Sequence, residues 1–543
     1  MEERELTLLI YFASDNPLAP LVVSELKAIK DAGFQENTTV LCLYDPMEKD
    51  APTQLLDVNF KRRKAKGTFI GDGADPYVRN MTEDEVDPAE FTKAMHATLD
   101  PAATVTAFES LKSFIEFGLK KRTAKNYMLI LLGHGMIVGN DTFLPDGDTD
   151  SAITLKELKK LCEMFTTDNE TSLRLLGLHS CSMSSIEVAY ELKGKADYML
   201  ATQGTMFVNG WPYRQLLKKT LNQVKHTQNK GRDATLNYCE LIEKLYYLCL
   251  YNFTDFMTAG YSCDIALCRL HPDNFEKLKA PMQELVSALK KGLPPPPEPS
   301  IIKDLILLAH WDAQSFWSEN YTDLWDFCDC LARRCEATNP GHEIIGLCQR
   351  VKDALARGKQ RGNPEHIVRL ADNFGTEYQY ARGLSIYFPW HQPFEVQEPT
   401  SKQDSNKQTE TKPPRKTILQ NYREYDFTIE FGDHSWFSFL AAYWKGTKRD
   451  PRDESKEPFR VDRDPREPVP DDVHKKVKDS FEKRIKRTPE LKKTPDVGTD
   501  CTCPTIKNYP TTRVEDTDTN LPEFSITPGA LGAFLPPKEP EEQ

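Results

Sequence analysis

The stretch LRLLGLHSCSMSS, residues 173–185, begins as an apolar run and ends in His179, Ser180 and Cys181 before giving way to a helical pattern, SSIEVAYELK (184–193). An uninterrupted apolar run bounded by small polar residues predicts a strand buried on both faces. The same grammar extends outward. LTLLIYFAS (6–14), TTVLCLYD (38–45), NYMLILLGHG (126–135) and DYMLATQ (197–203) read as buried strands, and GTFIG (67–71) as a short one. VVSELKAIKDAG (22–33), TAFESLKSFIEFGLKKR (106–122) and TLKELKKLCEMF (154–165) read as the helices between them. Buried strands alternating with helices predict an α/β domain, a mostly parallel sheet covered on both faces. In such sheets the chemistry gathers beyond the carboxyl ends of the strands.

Two of those ends carry reactive side chains. His134 follows NYMLILLG and Cys181 follows LRLLGLHS. On neighbouring strands the two emerge at one sheet edge, where an imidazole can exchange a proton with a thiol that attacks a carbonyl. Ser184 with Glu187 three residues later has the capping-box pattern, which predicts a helix start beside the sulfur and a lowered thiol pKa. The backbone N–H groups of Gly135 and Cys181 are candidates to hold an oxyanion.

Composition limits the alternatives. The chain has 543 residues, 39% hydrophobic and 28% charged, with a net charge of −12. The acidic balance argues against a general nucleic-acid binder. No apolar run reaches the length that spans a bilayer, and MEERELTLLIYF lacks the features of a signal peptide, so a cytoplasmic location is expected. Thirteen cysteines are scattered without a disulfide framework. Cys328, Cys330 and Cys335 lack the spacing and nearby histidines of a zinc site.

Beyond residue 255, helices and strand-like segments such as YSCDIALCRL (261–270) and GLSIYFP (383–389) continue to an aromatic-rich helix, DHSWFSFLAAYW (433–444). The expected division is a catalytic domain over 1–255, a C-terminal subdomain over 256–445 with a flexible polar insert at 391–420, and a disordered charged and proline-rich tail over 446–543.

Several segments, taken in order, resemble the clostripain-like cysteine peptidases of the caspase, gingipain and legumain clan. They are YFASDNPL, NYMLILLGHG, SAITLKEL, SCSMSSIEVAYEL, NGWPY, AQSFWSENYTDLWDF, GLSIYFP and WFSFL, spread over most of 5–445. The resemblance implies a caspase-like α/β sandwich, Cys181 as nucleophile, His134 as general base and acid, a peptide substrate, and no cofactor for the chemistry.

Departures from that family are informative. Its members generally cleave after Arg or Lys, and Asp usually stands two residues before the nucleophile; here it is His179. Where the family tends to end the next strand with acidic residues, this chain has Thr202 and Gln203. A guanidinium buried without a carboxylate partner is costly, so these three pocket candidates predict non-basic specificity. His179 could instead only hold a neighbouring loop. The exposed connection GNDTFLPDGDTDSAI has no Lys or Arg before Lys156, which argues against self-cleavage at a basic site. Asp146, Asp148, Asp150 and Glu157 occupy positions one, three, five and twelve of an EF-hand-like register, a calcium candidate lacking the glycine at position six.

The leading expectation is a regulated intracellular cysteine endopeptidase, by analogy a bacterial defence or cell-death effector. Its tail over 446–543 is a candidate for recruiting a regulatory partner, inhibiting the site or serving as a substrate. The alternative is a catalytically silent interaction protein on the same scaffold. A metal or redox role for His134, His179 and Cys181 has three donors but nothing to orient them.

Overall fold

Along β1 (Arg4–Phe12), Leu6, Leu8, Ile10 and Phe12 pack on one side while Leu9 and Tyr11 pack on the other, and all are buried. β4 (Ala124–Leu132) repeats this with Met128, Ile130 and Leu132 against Tyr127, Leu129 and Leu131. A strand apolar on both faces needs cover on both faces, and that requirement generates the architecture. The computed structural model describes residues 4–14, 18–33, 35, 37–44, 54–57, 105–135, 138–139, 141–146, 151–231, 234–258, 260–293, 300–316, 320–356, 366–390, 392–393 and 417–447.

Eight strands form the central sheet. With β2 (Thr38–Tyr44), β3 (Gln54–Asp57), β9 (Leu173–His179), β10 (Tyr198–Ala201), β11 (Cys263–Arg269) and β14 (Val368–Phe374), its order is β14-β11-β10-β9-β4-β1-β2-β3; the pairs β5 (Phe143–Asp146) with β6 (Ser151–Ile153) and β7 (Thr166–Thr167) with β8 (Glu170–Thr171), and the strands β12 (Ser315–Phe316) and β13 (Tyr321–Asp323), lie outside it. The five central strands are parallel and the outer ones antiparallel. The expected α/β sandwich with a mostly parallel sheet is what forms. One face is covered by helices Ala19–Ala32, Tyr213–Asn229 and Tyr238–Thr258, the other by Ala107–Lys121, Leu155–Glu163 and the helices from Pro272 onward. Among the described residues no helix is long and apolar enough to cross a membrane.

Residues 1–447 form one compact unit, and no break in the sheet falls at residue 255, because β11 and β14 complete it. A second, three-stranded sheet, β12-β13-β15 with β15 at Ser385–Tyr387, touches the chain just after Cys181: the Ser385 N–H donates to the Ser184 carbonyl at 3.0 Å. Of the polar insert expected at 391–420, residues 418–420 open the helix Ile418–Glu424, capped reciprocally by Thr417 and Gln420. GTFIG and the tail beyond 447 lie outside the described residues.

Candidate active site

β4 and β9 run side by side in parallel, with Leu132 opposite His179. Two residues further along each strand stand His134 and Cys181, so the register alone brings them to the same level of one sheet edge. Gly135 shows how closely the two chains approach. A Cβ built there would fall 1.7 Å from the Cys181 carbonyl oxygen and 3.0 Å from its amide nitrogen, both backbone atoms. Only glycine admits this contact.

The chain turns sharply after Cys181. Ser182 takes φ +56°, a region few non-glycine residues occupy. The Ser182 N–H donates to Gly204 O at 3.0 Å and the Ser184 N–H to Thr202 O at 2.8 Å. The following helix, Ile186–Glu191, is six residues long and its cap is Ser185, whose hydroxyl accepts from the Val188 N–H. The capping box expected from Ser184 and Glu187 does not form. Ser184 Oγ donates to Gly383 O, and Glu187 is fully buried, accepting from the Tyr387 N–H and the Tyr422 hydroxyl. Both residues are drawn away by long-range partners that local sequence does not contain.

Cys181 is half-buried. Its sulfur accepts from the Met206 N–H at 3.2 Å and lies 3.5 Å from the Met206 carbonyl oxygen. Burial pushes the thiol above its ordinary range; the Met206 contact opposes this and the Asp264 charge adds to it. The lowering expected from a helix start is therefore not what the surroundings produce. Burial lowers the pKa of His134, also half-buried, so its imidazole is neutral at pH 7.

The three pocket candidates lie nearby but inward. His179 is 2% exposed. Its Nε2 is 2.8 Å from the Phe207 carbonyl oxygen and its Nδ1 3.0 Å from the Tyr213 hydroxyl. A carbonyl only accepts, so the network assigns the proton to Nε2, and Nδ1 accepts from Tyr213. The ring stacks on Trp211 at 4.7 Å, and burial pushes its pKa down to about 3. Both nitrogens being engaged, His179 holds the 207–213 segment and presents no polar atom to a substrate, and burial disfavours its charged form. Thr202 and Gln203 are fully buried as well. Gln203 donates from Nε2 to Asp323 at 2.9 Å and accepts from the Gly383 N–H at 2.8 Å.

Of the four calcium candidates, Asp146 and Glu157 are among the described residues. Asp148 and Asp150 lie outside the described residues. Glu157 folds back onto the Thr154 N–H and hydroxyl, capping the helix Leu155–Glu163, and Asp146 ends one strand of a hairpin rather than opening a loop between helices. Among the described residues no three His, Cys, Asp or Glu side chains gather as a metal site.

Two residues not singled out from sequence shape this edge. Met206 supplies the amide on the sulfur; nothing in its local sequence marks it. Asp264, 2% exposed, accepts from the Gln203 N–H at 2.7 Å and the Gly204 N–H at 2.8 Å, fixing the loop above Cys181. A lone acid inside the apolar CDIALC run was its visible signal.

No curated protein matches the chain. Among solved structures it is similar to an inactive zymogen C11 protease from Parabacteroides distasonis (17% identity, 72% of this chain and 93% of that one, TM-score 0.44). It is similar also to a secreted C11 cysteine protease from Bacteroides thetaiotaomicron in complex with an irreversible peptide inhibitor (13% identity, 81% and 99%, TM-score 0.42). The sequence profile of the clostripain family matches residues 10–354. That span takes in both strand ends, His134, Cys181 and the loop that Asp264 anchors, and with it the chain belongs to the clostripain family and is a cysteine endopeptidase.

Proposed function

We propose that this endopeptidase works through Cys181 as nucleophile and His134 as general base and acid. The carrying observation is the parallel register that ends β4 and β9 at one level, with Gly135 packed on the Cys181 backbone. With the thiol raised and the imidazole lowered, the resting pair is neutral. His134 takes the thiol proton as sulfur bonds to the scissile carbonyl carbon. The tetrahedral oxyanion is received by the Gly135 and Cys181 N–H groups. Collapse expels the amine, which leaves with the proton from His134, and the thioester remains. Water, deprotonated by His134, then attacks the thioester and frees the acid and the thiol. No cofactor takes part.

The preferred residue before the scissile bond is non-basic. Support comes from the buried acids nearest the site. Asp264 is engaged by two backbone amides, and Asp323 by Gln203 and the Asp326 and Arg382 amides. The scattered cysteines support a reducing, intracellular setting, and a defence or cell-death role follows by analogy with caspase-like proteases inside bacterial cells. Peptide-library profiling of the full chain beside Cys181→Ala is the test. Cleavage after non-basic residues, absent in Cys181→Ala, is expected. Strong cleavage after Arg or Lys would sink the specificity, and cleavage by Cys181→Ala would sink the nucleophile.

A further inference from the structure

The loop that leaves His134 returns to it: the Leu144 N–H donates to the His134 carbonyl at 3.2 Å. Between these ends the described residues are held from outside by the C-terminal part of the chain. The Tyr425 hydroxyl accepts from the Gly139 N–H at 2.8 Å and donates to Asp141 at 2.6 Å. The Asn421 amide donates to the Gly139 carbonyl at 2.8 Å, and the Tyr321 hydroxyl accepts from the Val138 N–H. Gly139, at φ +85°, presses so closely on Ile418 that a Cβ would meet its carbonyl oxygen at 2.8 Å.

The same turn of chain reaches the cysteine's side. Tyr422 donates to Glu187 at 2.8 Å, six residues after Cys181. Glu187 is fully buried on the helix that follows the nucleophile, and Tyr422 and Tyr425 are 1% exposed. Asp426 adds a second tie, its N–H donating to Glu191 on that helix. Asn421, Tyr422 and Tyr425 thus form one strap, bonded to the histidine loop across 282 and 284 positions of sequence and to the cysteine helix across 235.

We propose that Tyr425 and Tyr422 are positioning residues that set the placement of His134 against Cys181, so that the strap around 421–425 carries turnover without touching substrate. The inference rests on the Cys181–His134 reading above. A hydroxyl lost from Tyr425 leaves the Gly139 N–H and Asp141 without their shared partner, and the imidazole's distance from the sulfur is then no longer fixed; small displacements of reacting groups are costly in rate.

The test compares Tyr425→Phe and Tyr422→Phe with Tyr246→Phe in the full-length chain. Tyr246 is equally buried and donates to Asp372 at 2.8 Å on the opposite face of the sheet, so its loss reports the ordinary cost of a missing tyrosine hydroxyl. On the peptide selected by profiling, both strap variants are expected to lower kcat tenfold or more with KM within twofold, while their Tm stays with that of Tyr246→Phe. A kcat within twofold of Tyr246→Phe for both strap variants overturns the inference, as does a kcat loss matched by an equal loss in that control. His134→Ala and Cys181→Ala run in parallel. If either retains turnover, the underlying dyad reading fails; if both lose it while the strap variants keep it, only the strap inference fails.

Discussion

His134 and His179 stand at the ends of adjacent strands, β4 and β9, and are offset by two residues in register, His179 lying opposite Leu132. His134 is half-buried, and its ring has no hydrogen bond among the described residues. His179 is buried under Trp211 with both nitrogens engaged, by Phe207 and Tyr213. The side chain is the same, and so is the local context of apolar strand followed by small residues. What differs is what reaches the ring: His179 is sealed under Trp211 with both nitrogens bonded, and His134 is not. One imidazole is left available for proton transfer; the other has become a hydrogen-bonding strut. A titratable residue at a strand end is therefore a chemical candidate only when the fold leaves its nitrogens unclaimed.

The contrast is broken most directly by replacing each ring. His134→Ala is expected to lower turnover by roughly 10²–10⁴-fold while urea unfolding stays close to wild type. His179→Phe keeps the stack on Trp211 but strands Phe207 O and the Tyr213 hydroxyl, and should cost about 2–4 kcal/mol in the same unfolding measurement with a smaller loss of rate. An unstable His134→Ala beside a stable, inactive His179→Phe would invert the assignment.

A next, smaller effect tests the contact between the strand ends. Gly135→Ala places a Cβ against the Cys181 backbone, which cannot yield as a flexible side chain can. The ends must separate, and turnover is expected to fall about 100-fold, the scale associated with a displacement near 1 Å. Wild-type rates in this variant would show that the approach is not part of the working geometry.

The gentlest probe is pH. Burial lowers the His134 pKa, and its neutral form is the base, so activity is present above the folded value and lost as pH falls through it. The acid limb of kcat/KM should lie below 6.5. For His179, depressed to about 3 from 6.5, the neutral form favours folding. Its contribution to stability is complete above about 6.5 and is lost as pH falls toward 3. His179→Phe should flatten that decline in Tm while leaving the acid limb of activity in place. A limb that moves with His179→Phe would show the two rings to be coupled.

The sequence by itself determined the architecture, because buried parallel strands announce themselves as unbroken apolar runs: LTLLIYF, NYMLILL and LRLLGLH each became a central strand within three residues of the expected bounds. It also determined that a histidine and a cysteine would close two of those strands. The pocket and the electrostatics were not legible. Ser184 and Glu187 matched a local cap, yet Gly383 claimed the first and Tyr387 and Tyr422 the second, from about 200 residues away or more. Asp264 and Met206 took hold of the loop above the sulfur through backbone amides, which carry no sequence signature. Local pattern is enforced by the hydrophobic demand of each element and can be read residue by residue. The partners of a buried polar group are decided by which distant segment reaches it first with matching donors, and only the assembled tertiary structure decides that.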